Sequence, residues 1–219
     1  MARVYPVEGA PLSSFALEAK RKIDKAVKLL FSTGSLSVVG NGNAAARFPN
    51  EEKFVIGGFE GPLKGGPAAV VVLDFDETVH EGKLFYHHEE VLPLYAAILT
   101  ERPDANVAVH THSPHLVAWA LAQRPLPIAS FENLAHLAIE HIPVTEAAAR
   151  YDAKPVIDTL RAHPNAPALL HANHGLLAWG KDFETVASLI VALEEAAKIV
   201  LESESIAAPA ANSRPSIAA

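Results

Sequence analysis

The 219-residue sequence contains no cysteine, which excludes disulfides and every thiolate metal site. It also lacks a basic surplus: 18 Lys and Arg against 25 Asp and Glu leave a net charge of -7. Nucleic acid and anionic membrane surfaces both require a basic face, so neither is expected as a partner. No apolar run comes near the roughly 20 residues that span a bilayer. Met1 to Ser14 shows neither the charged start nor the apolar stretch of a signal peptide. A cytoplasmic protein fits these absences. They also restrict any metal site to His, Asp and Glu ligands.

What is present is globular in character. Half of the residues are hydrophobic and a fifth are charged, in a chain long enough for one sizeable core. Ser13 to Phe31 has helical period, with Ile23, Ala26, Val27 and Leu30 on one stripe and Gly34 as a stop. Leu36 to Ile56 alternates β-type segments with Gly, Asn and Pro, and Gly57 to Pro67 reads as a glycine-rich connection. Ala68 to Phe75 is nearly unbroken apolar sequence, the pattern of a strand buried on both faces. Helical period returns over Glu90–Glu101, Pro114–Gln123, Pro155–His163 and, longest, Asp182–Glu204. The last of these places Glu194, Glu195 and Lys198 on a solvated face. Asn106–Thr111 reads as a strand, and Pro167–Trp179 as two strands or one bent strand around Asn173-His174-Gly175. Trp119 and Trp179 are expected in the core. After Ile206 the Ala, Pro and Ser tail has nothing to bury, which predicts one domain over residues 1–206 and disorder over 207–219. Alternating strands and helices define an α/β class.

The histidines carry the chemistry. In His110-Thr111-His112 the two imidazoles are two residues apart, so on a strand they share a face. Two imidazoles so placed suit a divalent transition ion, and a third ligand from elsewhere leaves a position for substrate. His174 is the candidate third ligand, because it follows an apolar run that should enter the same sheet. Gly175 beside it would let backbone approach a ligand closely. His171, three residues earlier, would face away on a regular strand, and His80, His136, His141 and His163 read as ordinary. Barrel amidohydrolases carry their His-x-His pair on the first strand of a longer chain, whereas here it falls mid-chain. The dinuclear hydrolase pattern continues with Asp-His, whereas this chain continues Ser113-Pro114-His115.

Three segments resemble one family. Arg102-Pro103-Asp104-Ala105-Asn106-Val107-Ala108-Val109-His110-Thr111-His112-Ser113-Pro114 is similar to the central motif of the class II aldolase/adducin family. Asn173-His174-Gly175-Leu176-Leu177-Ala178-Trp179-Gly180 resembles its third-ligand motif, and Gly42-Asn43-Ala44-Ala45-Ala46-Arg47 a degraded form of its Gly-Asn-x-Ser-x-Arg loop. The motifs occur in family order, and the resemblance runs from about Phe15 to Ser203. It implies a single three-layer α/β/α domain around a mixed central sheet, and a homotetramer with active sites between subunits. It implies one divalent ion per chain on His110, His112 and His174, with zinc first and manganese as an alternative.

The same resemblance places a catalytic carboxylate about twenty residues before the His pair, where the chain reads Glu89-Glu90-Val91-Leu92-Pro93. Glu90 matches best, with Glu89 the alternative; an ordinary helix-start carboxylate would look the same. The implied chemistry is carbon–carbon cleavage, with the metal stabilising an enolate and Glu90 moving a proton. Retro-aldol cleavage and decarboxylation share that intermediate; epimerisation and dehydration reuse it. A non-catalytic adducin-like binding module is a further alternative, though all three ligands are present. The phosphate-binding features of the family are weak here. Ala45 stands where Ser is expected, and Gly57-Gly58-Phe59-Glu60-Gly61-Pro62 offers no hydroxyl and adds an acid. This predicts a small unphosphorylated hydroxy or oxo acid as substrate, with Asn43, Arg47, His87, His88 and His115 as candidate contacts.

Overall fold

The computed structural model describes residues 5–37, 39–60, 69–149 and 151–207. In chain order its elements are β1 (Val7–Glu8), α1 (Ser14–Ser32), β2 (Asn41–Arg47), β3 (Lys53–Glu60), β4 (Val70–Asp74), β5 (Val79–Leu84), α2 (Tyr86–Glu89) and α3 (Leu92–Glu101). There follow β6 (Val107–Thr111), α4 (Pro114–Ala122), β7 (Leu126–Pro127), α5 (Phe131–Leu137), β8 (His141–Ile142), α6 (Ala153–Ala162), β9 (Ala168–His171), β10 (Gly175–Gly180) and α7 (Phe183–Ala207).

Eight strands form one sheet in the order β1-β5-β4-β3-β2-β6-β10-β9. Period-two alternation sorts their side chains into two cores. Ala44, Ala46, Val55, Val72, Val109 and Ala178 meet α1, α4 and α7 on one face. Ala45, Ile56, Val71, Ala108, Leu177 and Trp179 meet α3 and α6 on the other. The three-layer α/β/α architecture is therefore as expected, and the apolar run Val70 to Leu73 is fully covered because both faces of β4 are packed. Both tryptophans are buried core residues.

The sheet corrects one expectation. Among the described residues every ladder between its strands is antiparallel, and parallel character is limited to two isolated bridges, Ala10–Glu81 and Val144–Leu170. Strands β2 to β5 form a meander with short connections, which only antiparallel pairing permits. The Gly42–Arg47 segment, expected as a loop, is most of β2. Glu194 is a second correction: it is 6% exposed on α7 rather than solvated. Strand β5 gave no apolar signal because it lies near the sheet edge with His80, Glu81 and Gly82 only partly covered. Of the expected glycine-rich connection, Gly57 to Glu60 belong to β3 and residues 61–67 lie outside the described residues, as does the tail beyond Ala207. No helix among the described residues is long and apolar enough to cross a membrane.

Strand β2 owes its close approach to β6 to Gly42. A Cβ there would sit 2.2 Å from the His110 carbonyl oxygen and 2.5 Å from the Phe59 ring. The nearer atom is backbone, so the sheet itself would have to shift. Gly42→Ala is expected to destabilise the fold by about 1–3 kcal/mol, the usual cost of overpacking. Urea denaturation checks this; an unchanged midpoint would contradict the strand spacing.

Candidate metal centre

Strand β6 is buried along its whole length, and its alternation directs Ala108 and His110 toward the α3/α6 core. His112 follows one residue after the strand ends, on the same side as His110. Asn43 of β2 and Leu177 of β10 lie directly opposite His110 on the neighbouring strands. The third histidine arrives by a tight turn between β9 and β10, closed by the His174 N–H donating to the His171 carbonyl at 3.0 Å. Asn173 occupies that turn at φ 61°, a left-handed conformation that Asn tolerates better than most residues. One ligand nitrogen from each of His110, His112 and His174 lies within 4.8 Å of the others.

The partners of these rings determine which nitrogens face inward. His110 Nδ1 lies 2.8 Å from the Leu176 carbonyl oxygen. His112 Nδ1 lies 3.0 Å from the Asn41 carbonyl and 2.6 Å from its side-chain oxygen. Oxygens of these kinds only accept, so both Nδ1 atoms carry the proton and both Nε2 atoms present lone pairs. Those Nε2 atoms are 3.1 Å apart. Two lone pairs at that distance repel unless a cation lies between them. Around a tetrahedral zinc with bonds of about 2.0–2.1 Å, adjacent ligand atoms are about 3.3 Å apart. The donor set therefore fits a divalent ion. Burial and the neighbouring imidazoles hold the His110 pKa well below the ordinary histidine value, which keeps its ring neutral and able to ligate.

Gly175 completes the cradle. A Cβ there would meet the Thr111 carbonyl oxygen at 2.5 Å and ring carbons of His110 and His112 at 3.3 Å. Its small size lets the third-ligand turn close onto the pair. His171 does not face away as a regular strand would require. The strand ends at the turn, and its ring centroid lies 5.3 Å from that of His174.

The other candidates separate into those near the centre and those remote from it. Asn43 is near, and its side-chain oxygen accepts from the Tyr95 hydroxyl at 2.6 Å. Burial raises the Tyr95 pKa well above the usual phenol value, so it remains a donor. Arg47 is remote: four residues further along β2, roughly 13 Å away, its guanidinium donates to the carbonyls of Leu99 in α3 and Ala105 in the segment after it. Those backbone partners lie away from the three histidines. His115 also points elsewhere, its Nδ1 2.8 Å from Glu194 Oε1. His88 is fully buried on α2, with its Nδ1 accepting from the Phe85 N–H at 3.4 Å; the side chain of His87 lies outside the described residues. Glu90 terminates α2, and its nearby carboxylate pushes the Tyr86 pKa up.

Three neighbours of the centre escaped sequence reading. Asn41 orients His112, and its only signal was its place beside Gly42. His171 was misjudged by strand periodicity. Tyr151, whose ring is edge-on to His174 with centroids 5.7 Å apart, carried no signal, because it approaches from a loop distant in sequence.

Comparison with known proteins identifies the family. The family model described as Class II Aldolase and Adducin N-terminal domain matches residues 21–201, and the chain belongs to that class II aldolase/adducin family. L-ribulose-5-phosphate 4-epimerase UlaF of Salmonella paratyphi B is 30% identical over 141 residues, covering 59% of this chain and 60% of that protein. The match thus spans less than two thirds of the epimerase. Among solved structures, an L-fuculose 1-phosphate aldolase superposes with a TM-score of 0.73 at 22% identity, covering 93% of each chain. The L-fuculose-1-phosphate aldolase from Thermus thermophilus gives a TM-score of 0.66 at 21% identity, over 87% of this chain and 97% of that one. At these identities the likeness shows a shared fold.

The chain is expected to bind one divalent ion, with zinc or manganese best suited to a nitrogen-rich site. Alanine at His110, His112 or His174 should abolish stoichiometric binding, read by elemental analysis after dialysis. Full occupancy in His174→Ala would remove that residue from the ligand set.

Proposed function

We propose that this protein is a divalent-metal-dependent carbon–carbon lyase, of aldolase or decarboxylase type, acting on a small unphosphorylated hydroxy or oxo carboxylic acid. The observation that carries the metal-dependent part is the pair of inward-facing Nε2 atoms 3.1 Å apart, each ring fixed by a carbonyl acceptor. A bound ion would supply Lewis-acid polarisation of substrate oxygens. His110, His112 and His174 would hold it, with Asn41 and the Leu176 carbonyl keeping two of the rings in the ligating tautomer. Asn43, fixed by Tyr95, presents its amide beside His110 and is suited to orient a substrate oxygen. Glu90 is the proposed acid/base, giving or taking the proton at the carbon left by bond cleavage. Active sites shared within a homotetramer and a cytoplasmic setting belong to the same proposal.

The preference for a carboxylate rests on what surrounds the centre. A phosphate dianion needs several donors and a positive field. Ala45 is fully buried in the sheet, so this position offers a substrate neither a hydroxyl nor access. Residues Gly57 to Glu60 are strand and contribute an exposed acid instead of donors. A carboxylate carries less charge and can be held partly by the metal. The competing reading is a sugar-phosphate aldolase, epimerase or dehydratase with the same centre; the similarity to a ribulose-phosphate epimerase favours it. An adducin-like binding module without catalysis is disfavoured by the intact ligand set.

Two measurements test the proposal. Steady-state kinetics with matched sugar phosphates and free hydroxy acids should give the higher kcat/KM for the acids; a clear preference for phosphorylated compounds would favour the competing reading. Glu90→Gln should retain metal and fold while lowering kcat roughly 100-fold or more, the scale of lost acid/base help. Glu89→Gln should be milder, and the reverse order would transfer the role to Glu89.

A further inference from the structure

We propose that Glu194, on the outer helix α7, is a positioning residue for the metal centre, acting through α4. The inference rests on the reading that His110, His112 and His174 hold an ion. Glu194 is buried, and its carboxylate accepts three hydrogen bonds from the start of α4. The His115 N–H donates at 2.9 Å, the Leu116 N–H at 3.1 Å and His115 Nδ1 at 2.8 Å.

The beginning of α4 requires such a partner. Its first residue, Pro114, has no N–H, so His115 and Leu116 supply the first donors of the helix. The residue before it, Ser113, makes no side-chain capping bond; its hydroxyl lies 3.0 Å from that of Thr111 instead. Glu194 takes over the cap from a helix 79 positions away in sequence, and a carboxylate there is also favoured by the helix dipole.

The consequence for the centre follows from what α4 touches. Its cap residue Ser113 directly follows His112, so the point where Glu194 grips the chain is the exit of the ligand strand. Near its other end the Ala120 carbonyl accepts from the Asn173 N–H at 2.9 Å. Gln123, just beyond, donates its side-chain amide to Asn173 Oδ1 at 3.1 Å. Asn173 immediately precedes His174. Helix α4 is therefore a strut between the two segments that carry the ligands. Helix α7 holds it at Glu194 and again where Trp119 Nε1 donates to the Ala197 carbonyl at 3.2 Å. Releasing the Glu194 end frees the strut to shift, and His112 with it. Groups behind a metal's ligands commonly change affinity 10- to 100-fold; Glu194 acts one step further back, so about 10-fold is expected.

A merely structural role would lower stability without specific effect on the ion, and the test separates the two. Zinc affinity of the full-length protein is measured by competition with a chromophoric chelator, together with the visible spectrum of the cobalt-substituted form and the urea midpoint. Glu194→Ala should weaken zinc about 10-fold and shift the cobalt bands. Glu194→Gln, which keeps the packing and one acceptor oxygen, should show a smaller loss of about 3-fold. Val72→Ala, on β4 in the opposite core and three strands from β6, serves as a destabilised control and should retain wild-type zinc affinity. Wild-type affinity and cobalt spectrum in Glu194→Gln, or an equal zinc loss in Val72→Ala, would overturn the inference. Failure of the wild-type protein to bind zinc, or unimpaired binding by His174→Ala, would instead overturn the reading of the centre itself.

Discussion

Two imidazole nitrogens face one another across 3.1 Å at the end of β6, and each ring has its other nitrogen committed to a carbonyl oxygen. This constraint organises the surrounding structure. With both Nδ1 atoms directed at oxygens, the facing Nε2 atoms are placed to share a cation. A fold that buries His110 among apolar strands, 2% exposed, has also made that ring hard to protonate. Burial, tautomer and spacing all favour a divalent ion over a proton as the cation.

The sheet supplies the rigidity this arrangement needs. Antiparallel neighbours on both sides of β6 place Asn43 and Leu177 opposite His110, so its backbone cannot rotate without breaking two ladders. Glycine at positions 42 and 175 lets β2 and the third-ligand turn approach the strand to distances that a Cβ would forbid. The face of the sheet toward α3 and α6 carries the centre, while the opposite face, with α1, α4 and α7, carries its mechanical support. Function and support are thus separated by a single strand thickness.

The histidine cluster was legible because its signals are local. His110 and His112 are related by the strand period, and Asn173-His174-Gly175 has the composition of a tight turn. The three layers and most helices were legible for the same reason, since a buried stripe repeats within one element. Residues whose partners are distant in sequence carried no such local signal. Glu194 looked like part of a solvated helix face, yet it caps α4 from 79 positions away. Arg47 occupied a motif position that suggested substrate, and its guanidinium binds backbone carbonyls in α3 and the segment after it. His115 followed the His pair closely but turned with α4 toward Glu194 rather than the centre. The antiparallel sheet likewise reflects pairings between strands, which strand periodicity alone does not encode.

Anomalous diffraction at the metal edge from crystals of the zinc-loaded protein decides whether the three histidines form a metal centre. One strong anomalous peak per chain is expected, about 2.0–2.1 Å from the Nε2 atoms of His110 and His112 and from a ring nitrogen of His174. A peak held by other residues, or none at this position in protein shown to contain stoichiometric zinc, would contradict it.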